Sequence, residues 1–165
     1  MLNSPNSKKK ILVIDDELNF ITLLTETLQN NGYEVVTAMD GVAGLKKVHL
    51  ENPDLILLDL LLPCINGYQV CSILKRDIRF QKIPIIILSA RSHEDINMSW
   101  RGDDKPEFFF HKPFDSDVLL GKIKELLNTV DTKKEESQKE MTEQAQQWIK
   151  QHYIPGTGKG NVFGT

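Results

Sequence analysis

Five side chains spread along the chain could do chemistry together: Asp15, Asp16, Asp59, Ser89 and Lys112. Each stands at or just after the end of a short apolar run. If those run ends converge, one crevice holds three carboxylates, a hydroxyl and an ammonium. Crowded carboxylates repel, and each resists ionisation unless a cation joins them. A hard divalent ion with oxygen ligands relieves the repulsion, and Mg²⁺ suits because it takes one or two carboxylates plus phosphate oxygens. The lysine is surplus for metal binding alone. Beside a carboxylate nucleophile, lysine and hydroxyl make sense as clamps on phosphoryl oxygens. The chemistry indicated is phosphoryl transfer to an aspartate, giving an acyl phosphate.

Taken singly, each residue has a plainer reading. Asp15-Asp16 reads as a turn or helix cap. Asp59 could open a loop, although three leucines follow it and apolar flanks make an unpaired charge costly. Ser89 could cap a helix, and Lys112 could be a solvated surface lysine. Their order along the chain is what makes the combined reading the stronger one.

The elements that must position them alternate in type. Residues 10–14 are a β-branched run, followed by Ile21, Leu24 and Leu28 at helical spacing. Asn30-Asn31-Gly32 supplies the stop, because glycine accepts the left-handed conformation. Residues 33–38 read as a second strand. Residues 40–51 read as a helix with Asp40 as N-cap candidate, broken by Asn52-Pro53. Strands follow at 54–58, 84–88 and 108–110, with a helix over 68–76. The segment 90–105 is the least legible, with a helical middle expected. Asp115 caps a last helix carrying Leu119, Ile123 and Leu126 on one face. Five strands alternating with five helices imply an α/β fold, a doubly wound parallel sheet covered on both faces. In such folds ligands sit beyond the carboxyl ends of the strands, where the five residues fall.

Composition narrows the function classes. The chain has 165 residues, 40% of them hydrophobic, enough for a full core without disulfide or metal staples. With 20 basic and 23 acidic residues, it lacks the basic excess of a nucleic-acid or polybasic membrane binder. No apolar run approaches the roughly 18 residues of a transmembrane helix. Cys64 and Cys71 suit a reducing cytoplasm and read as ordinary packing or surface thiols. The four histidines show no zinc spacing, and Gly-Thr-Gly-Lys-Gly at 156–160 lacks the spacing and context of a phosphate loop. Residues 130–165 change character: a charged, glutamine-rich stretch bears a stripe of Met141, Ala145, Trp148, Ile149 and His152, then a Gly-rich tail. That stripe could dock on a partner or cover the domain's own surface.

Residues 8–129 resemble the receiver domain of two-component response regulators. The resemblance rests on Lys-Ile-Leu-Val-Ile-Asp-Asp-Glu at 10–17 and Pro-Asp-Leu-Ile-Leu-Leu-Asp at 53–59, with Pro63 and Gly67 following. Ile-Pro-Ile-Ile-Ile-Leu-Ser-Ala at 83–90 and His-Lys-Pro-Phe at 111–114 complete it. It implies a five-stranded flavodoxin-like sheet in the order 2-1-3-4-5; residues 130–165 lie beyond it and read, from their composition, as a helical extension and flexible Gly-rich tail. It implies Asp59 as phosphoacceptor, and Mg²⁺ held by Asp15, Asp16, Asp59 and the backbone carbonyl of Leu61. Lys112 would pair with the phosphoryl group, its bond to Pro113 being cis. Ser89 and Phe109 would occupy the switch positions.

The resemblance further implies a cytoplasmic signalling domain that is not an enzyme in the ordinary sense. Its donor would be a sensor histidine kinase or phosphotransfer protein, and its reader a downstream protein target. DNA contact by these residues is not expected, nor membrane contact. The protein would be a monomer or a phosphorylation-dependent dimer. Two alternatives share the fold. A receiver-like scaffold would not react with phosphodonors. An FMN protein would need an anion loop where Asp15-Asp16-Glu17 stands. One departure is Lys105-Pro106-Glu107-Phe108, where receivers usually show a Gly-Ala-Asp-like turn; Pro106 should end the preceding helix early or stay outside the strand.

Overall fold

A computed structural model of the chain describes residues 8–91, 100 and 104–152. The chain divides into two compact units, Met1–Leu127 and Asn128–Thr165. The first contains β1 (Lys10–Ile14), α1 (Leu18–Asn30), β2 (Glu34–Ala38), α2 (Gly41–Glu51), β3 (Leu55–Leu58), α3 (Gly67–Arg76), β4 (Ile85–Ser89) and β5 (Phe108–His111). A final helix, α4 (Ser116–His152), starts in the first unit and ends in the second. The strands form one parallel sheet in the order β2-β1-β3-β4-β5, as expected.

Alternation along the central strands explains how both faces are covered. Leu12, Ile14, Ile56, Leu58, Ile85 and Ile87 pack on one face with Val48 of α2 and Val70 and Leu74 of α3. Ile11, Val13, Leu55, Leu57, Ile86 and Leu88 pack on the other with Ile21, Leu24 and Leu28 of α1 and Leu119, Ile123 and Leu127 of α4. β3 is therefore apolar throughout, and β1 and β4 depart from it only at Lys10, where β1 begins, and at Ser89, where β4 ends, as strands buried on both sides require.

Local signals set the helix ends. The Asp40 side chain accepts a 2.7 Å hydrogen bond from the Ala43 amide. Gly32 takes the positive φ that ends α1, at 88°. Asp115 accepts from the Asp117 amide at 2.7 Å at the start of α4. α3 opens on a reciprocal cap between Asn66 and Gln69, an Asn-x-x-Gln signal present in the sequence but not used above.

The last helix presents the expected face and adds one residue to it. Leu127 joins Leu119 and Ile123 among the buried residues. Steps of four keep 119, 123 and 127 on one row of the helix, while Leu126 packs at its flank, half-buried. The expected helical middle of 90–105 and the Gly-rich tail lie outside the described residues. Pro106 stands outside β5, and the adjoining Glu107 ties the sheet edge. Its carboxylate accepts from the Ile85 amide at 2.7 Å and from Lys75 of α3 at 2.6 Å.

Candidate functional site

Strand register brings the acidic residues together. Ile14 pairs with Leu58 across β1 and β3, so Asp15 and Asp59 are the next residues on adjacent strands. The Asp59 amide donates to the Ile14 carbonyl at 2.9 Å, extending the ladder one step. Ser89 pairs with His111 at the ends of β4 and β5, and the Lys112 amide donates to the Ser89 carbonyl at 2.8 Å. Carboxylate oxygens of Asp15, Asp16 and Asp59 all lie within 4.8 Å of one another. Lys112 Nζ is 2.6 Å from Asp15 Oδ2 and 3.6 Å from Asp59 Oδ2.

The environment is dry on one side and wet on the other. Asp15 is 1% exposed, Asp59 8% and Ser89 0%, while Asp16 faces solvent. Burial pushes the Asp59 carboxyl above its ordinary range; the Leu61 amide and the Lys112 ammonium pull it back down, and Asp15 pushes it up again. Asp59 Oδ1 accepts from the Leu61 amide at 3.2 Å, and Asp15 Oδ1 from the Glu17 amide at 2.9 Å. Three carboxylates facing one lysine leave an excess of negative charge. Clustered oxygen donors with that excess fit a hard divalent cation.

Other features hold this arrangement in place. A Cβ on Gly67 would lie 2.1 Å from the Asp59 carbonyl oxygen and 2.7 Å from Leu60 Cα. Only glycine lets α3 start that close to the site. The Lys112–Pro113 peptide is cis. Lys112 Nζ also lies 3.8 Å from the centroid of the Phe20 ring, a contact no spacing rule announced. Ser89 Oγ accepts from the Arg91 amide at 3.3 Å. The Leu61 side chain is 48% exposed. Phe109, in β5, is half-buried against the cluster that contains Ile85 and Ile87.

Residues 11–124 match the family described as response regulator receiver domain. The chain belongs to the response regulator receiver family. Among curated relatives, the alkaline phosphatase synthesis transcriptional regulatory protein PhoP of Bacillus subtilis (strain 168) is 40% identical over 124 residues, 72% of this chain and 48% of that protein. Protein PilG of Pseudomonas aeruginosa is 33% identical over 117 residues, 70% of this chain and 84% of PilG. The crystal structure of a CheY-like response regulator receiver domain protein from Methanospirillum hungatei JF-1 matches with a TM-score of 0.70 at 27% identity, covering 77% of this chain and 99% of that one. The chain spans about half the length of the first curated relatives it matches. Receiver domains are phosphoacceptor signalling modules rather than enzymes in the ordinary sense, and they partner with histidine kinases. The acidic pocket of Asp15, Asp16 and Asp59 is typical of the receiver magnesium site. Among the described residues, no helix is long and apolar enough to cross a membrane.

Proposed function

We propose that this receiver accepts a phosphoryl group on Asp59 from a phosphohistidine of a sensor histidine kinase or phosphotransfer protein. The observation that carries the reading is the meeting of three carboxylates and Lys112 Nζ at the carboxyl ends of the strands. An Asp59 carboxylate oxygen forms the new bond to phosphorus while the phosphorus–nitrogen bond of the donor breaks, returning a neutral or protonated imidazole. Asp15, Asp16, Asp59 and the Leu61 carbonyl would hold Mg²⁺. When bound, that ion supplies positive charge for the phosphoryl oxygens and relieves the carboxylate repulsion. Lys112 supplies the protein's own positive charge, held in place by Asp15 and the Phe20 ring.

The product is a switch. Phosphorylation adds about −1.5 to −2 charges at neutral pH. Ser89 and Lys112 engage the new oxygens as the segment after β4 draws inward, which opens room for Phe109 to turn in. Phosphorylation thereby biases two packings of the domain, and a protein target reads the altered face. Phe109 has no hydroxyl, so packing alone reports the switch at that position. We propose cytoplasmic residence and output through protein contact rather than DNA, with the 8–129 segment as the phosphoaccepting part. The monomer or a phosphorylation-dependent dimer is the working form.

Intact-mass measurement after incubation with acetyl phosphate and Mg²⁺ tests the reading. One added phosphoryl group on the native chain, absent from Asp59→Asn, is the expected result. No gain on the native chain favours the scaffold alternative, and a gain retained by Asp59→Asn moves the acceptor elsewhere. Leu61 cannot orient a hydrolytic water, so the acyl phosphate should be long-lived and Leu61→Asn should shorten its half-life. An unchanged decay would remove that role from Leu61.

A further inference from the structure

The end of α4 presents apolar side chains to water. Met141, Trp148 and Ile149 are exposed, Trp148 by 62%, and Ala145 and His152 are exposed with them. A tryptophan left so bare forgoes a large burial energy and marks a contact surface. Met141, Ala145, Trp148 and His152 are spaced four, three and four apart, the seam of two paired helices. Trp148 and His152 are stacked with centroids 4.6 Å apart at 17°, and His152 Nδ1 is 2.9 Å from the Trp148 carbonyl oxygen. The imidazole thus lies flat against the indole.

The segment is also complementary to itself when reversed. About the midpoint between Gln146 and Gln147, Met141 exchanges with His152 and Ala145 with Trp148. An antiparallel two-fold pair therefore sets each large Trp148 against a small Ala145. A parallel pair would set Trp148 on Trp148 and Ala145 on Ala145; Glu143 and Lys150 lie on the opposite face of the helix and take no part in the seam. One Glu and one Lys over 141–152 give no basic face for an anionic lipid surface.

We propose that residues 141–152 form a self-association site whose occupant is the same segment of a second copy, packed antiparallel. The contact is isologous and closes at a dimer. Three helical turns cover less than the roughly 1,200–2,000 Å² of a standard interface, so the association is weak. Sedimentation of the full chain from about 10 µM to about 1 mM, spanning weak dissociation constants, should show the mass rising from monomer toward dimer. Trp148→Glu should abolish that rise while helical circular dichroism is retained.

Orientation is read with a spin label on Glu136→Cys in a Cys64→Ser background. Buried Cys71, its thiol pushed up to about 12, does not compete for the label. The antiparallel pair puts the two labels about 31 Å apart along the axis, from the helical rise of 1.5 Å per residue; a parallel pair puts them level. A mass that stays monomeric, a rise that survives Trp148→Glu, or labels at one level would each overturn the proposal. In a Trp100→Phe background, a Trp148 emission already shifted to the blue at the lowest concentration would do the same, placing the stripe against its own chain.

Discussion

The two ends of β1 carry ion clusters of opposite character. At the amino end, Lys10 Nζ lies 3.2 Å from Glu34 and 3.0 Å from Glu51, and Lys9 Nζ lies 3.7 Å from Asp54. Those side chains are between 23% and 53% exposed, and each lysine has its acid. Water and salt screen such pairs, and they contribute little beyond joining strand to strand. At the carboxyl end, three carboxylates share one lysine and the inner two are buried. One strand thus begins in a solvated cluster of three acids on two lysines and ends in a desolvated one of three acids on one lysine. Only the second holds a buried imbalance that a cation or a phosphoryl group can resolve.

The largest test of that contrast is Lys112→Met. It leaves buried Asp15 and Asp59 without their ammonium, and removing one partner of a buried pair costs about 3 kcal/mol or more. Urea unfolding in chelator should show that loss, and Mg²⁺ should restore part of it. A stability within error of the native chain would mean that the pocket is wetter than its burial indicates. Gly67→Ala comes next. The added Cβ meets backbone rather than a movable side chain, so a loss of about 1–3 kcal/mol is expected by thermal or urea unfolding. The same change should slow labelling of the pocket by acetyl phosphate, because the Asp59 backbone must shift.

How much of this was legible in residues alone depends on whether a signal is local. The continuous apolar runs at 55–58 and 85–88 announce doubly covered strands, and the residues after them announce the pocket. Register does not follow from them, because a strand that is apolar on both faces buries equally well when slipped by one residue; the pairing of Ile14 with Leu58 that sets Asp15 beside Asp59 came from the structure. Asp40 and Asp115 carry their caps within three residues, so both were readable. Phe20 under Lys112 and Lys75 on Glu107 were not. Those pairs join residues 92 and 32 positions apart through helix packing angles that no spacing rule contains. Leu126 was readable on that face, but that Leu127 is the deeper of the two was not, because steps of three and four are both helical and only the packing against the sheet decides between them.

Titration sharpens the contrast further. Burial raises the Asp59 carboxyl in the folded chain. A carboxyl raised on folding favours the native state below its ordinary range, and that contribution disappears as pH climbs through the raised value. In metal-free buffer, ionised Asp59 therefore costs stability at neutral pH. Asp59→Asn should melt higher than the native chain there, and the two should converge as pH falls below the ordinary carboxylate range. A native chain that melts higher at neutral pH would assign the dominant influence to Lys112 instead.

The smallest effect belongs to the amino end. Glu51→Gln removes one of two acids on Lys10 and leaves Glu34 3.2 Å away. Lys10 is raised chiefly by its hydrogen bonds to Glu51 and then Glu34, but it sits in water, where such support converts poorly into stability. A change within about 0.5 kcal/mol is expected, fading further with added salt. The contrast between the strand's two ends stands on this variant as much as on Lys112→Met. If Glu51→Gln cost as much as the lysine substitution, the amino-end network would be structural in the same degree, and imbalance rather than ion pairing could no longer be what distinguishes the pocket.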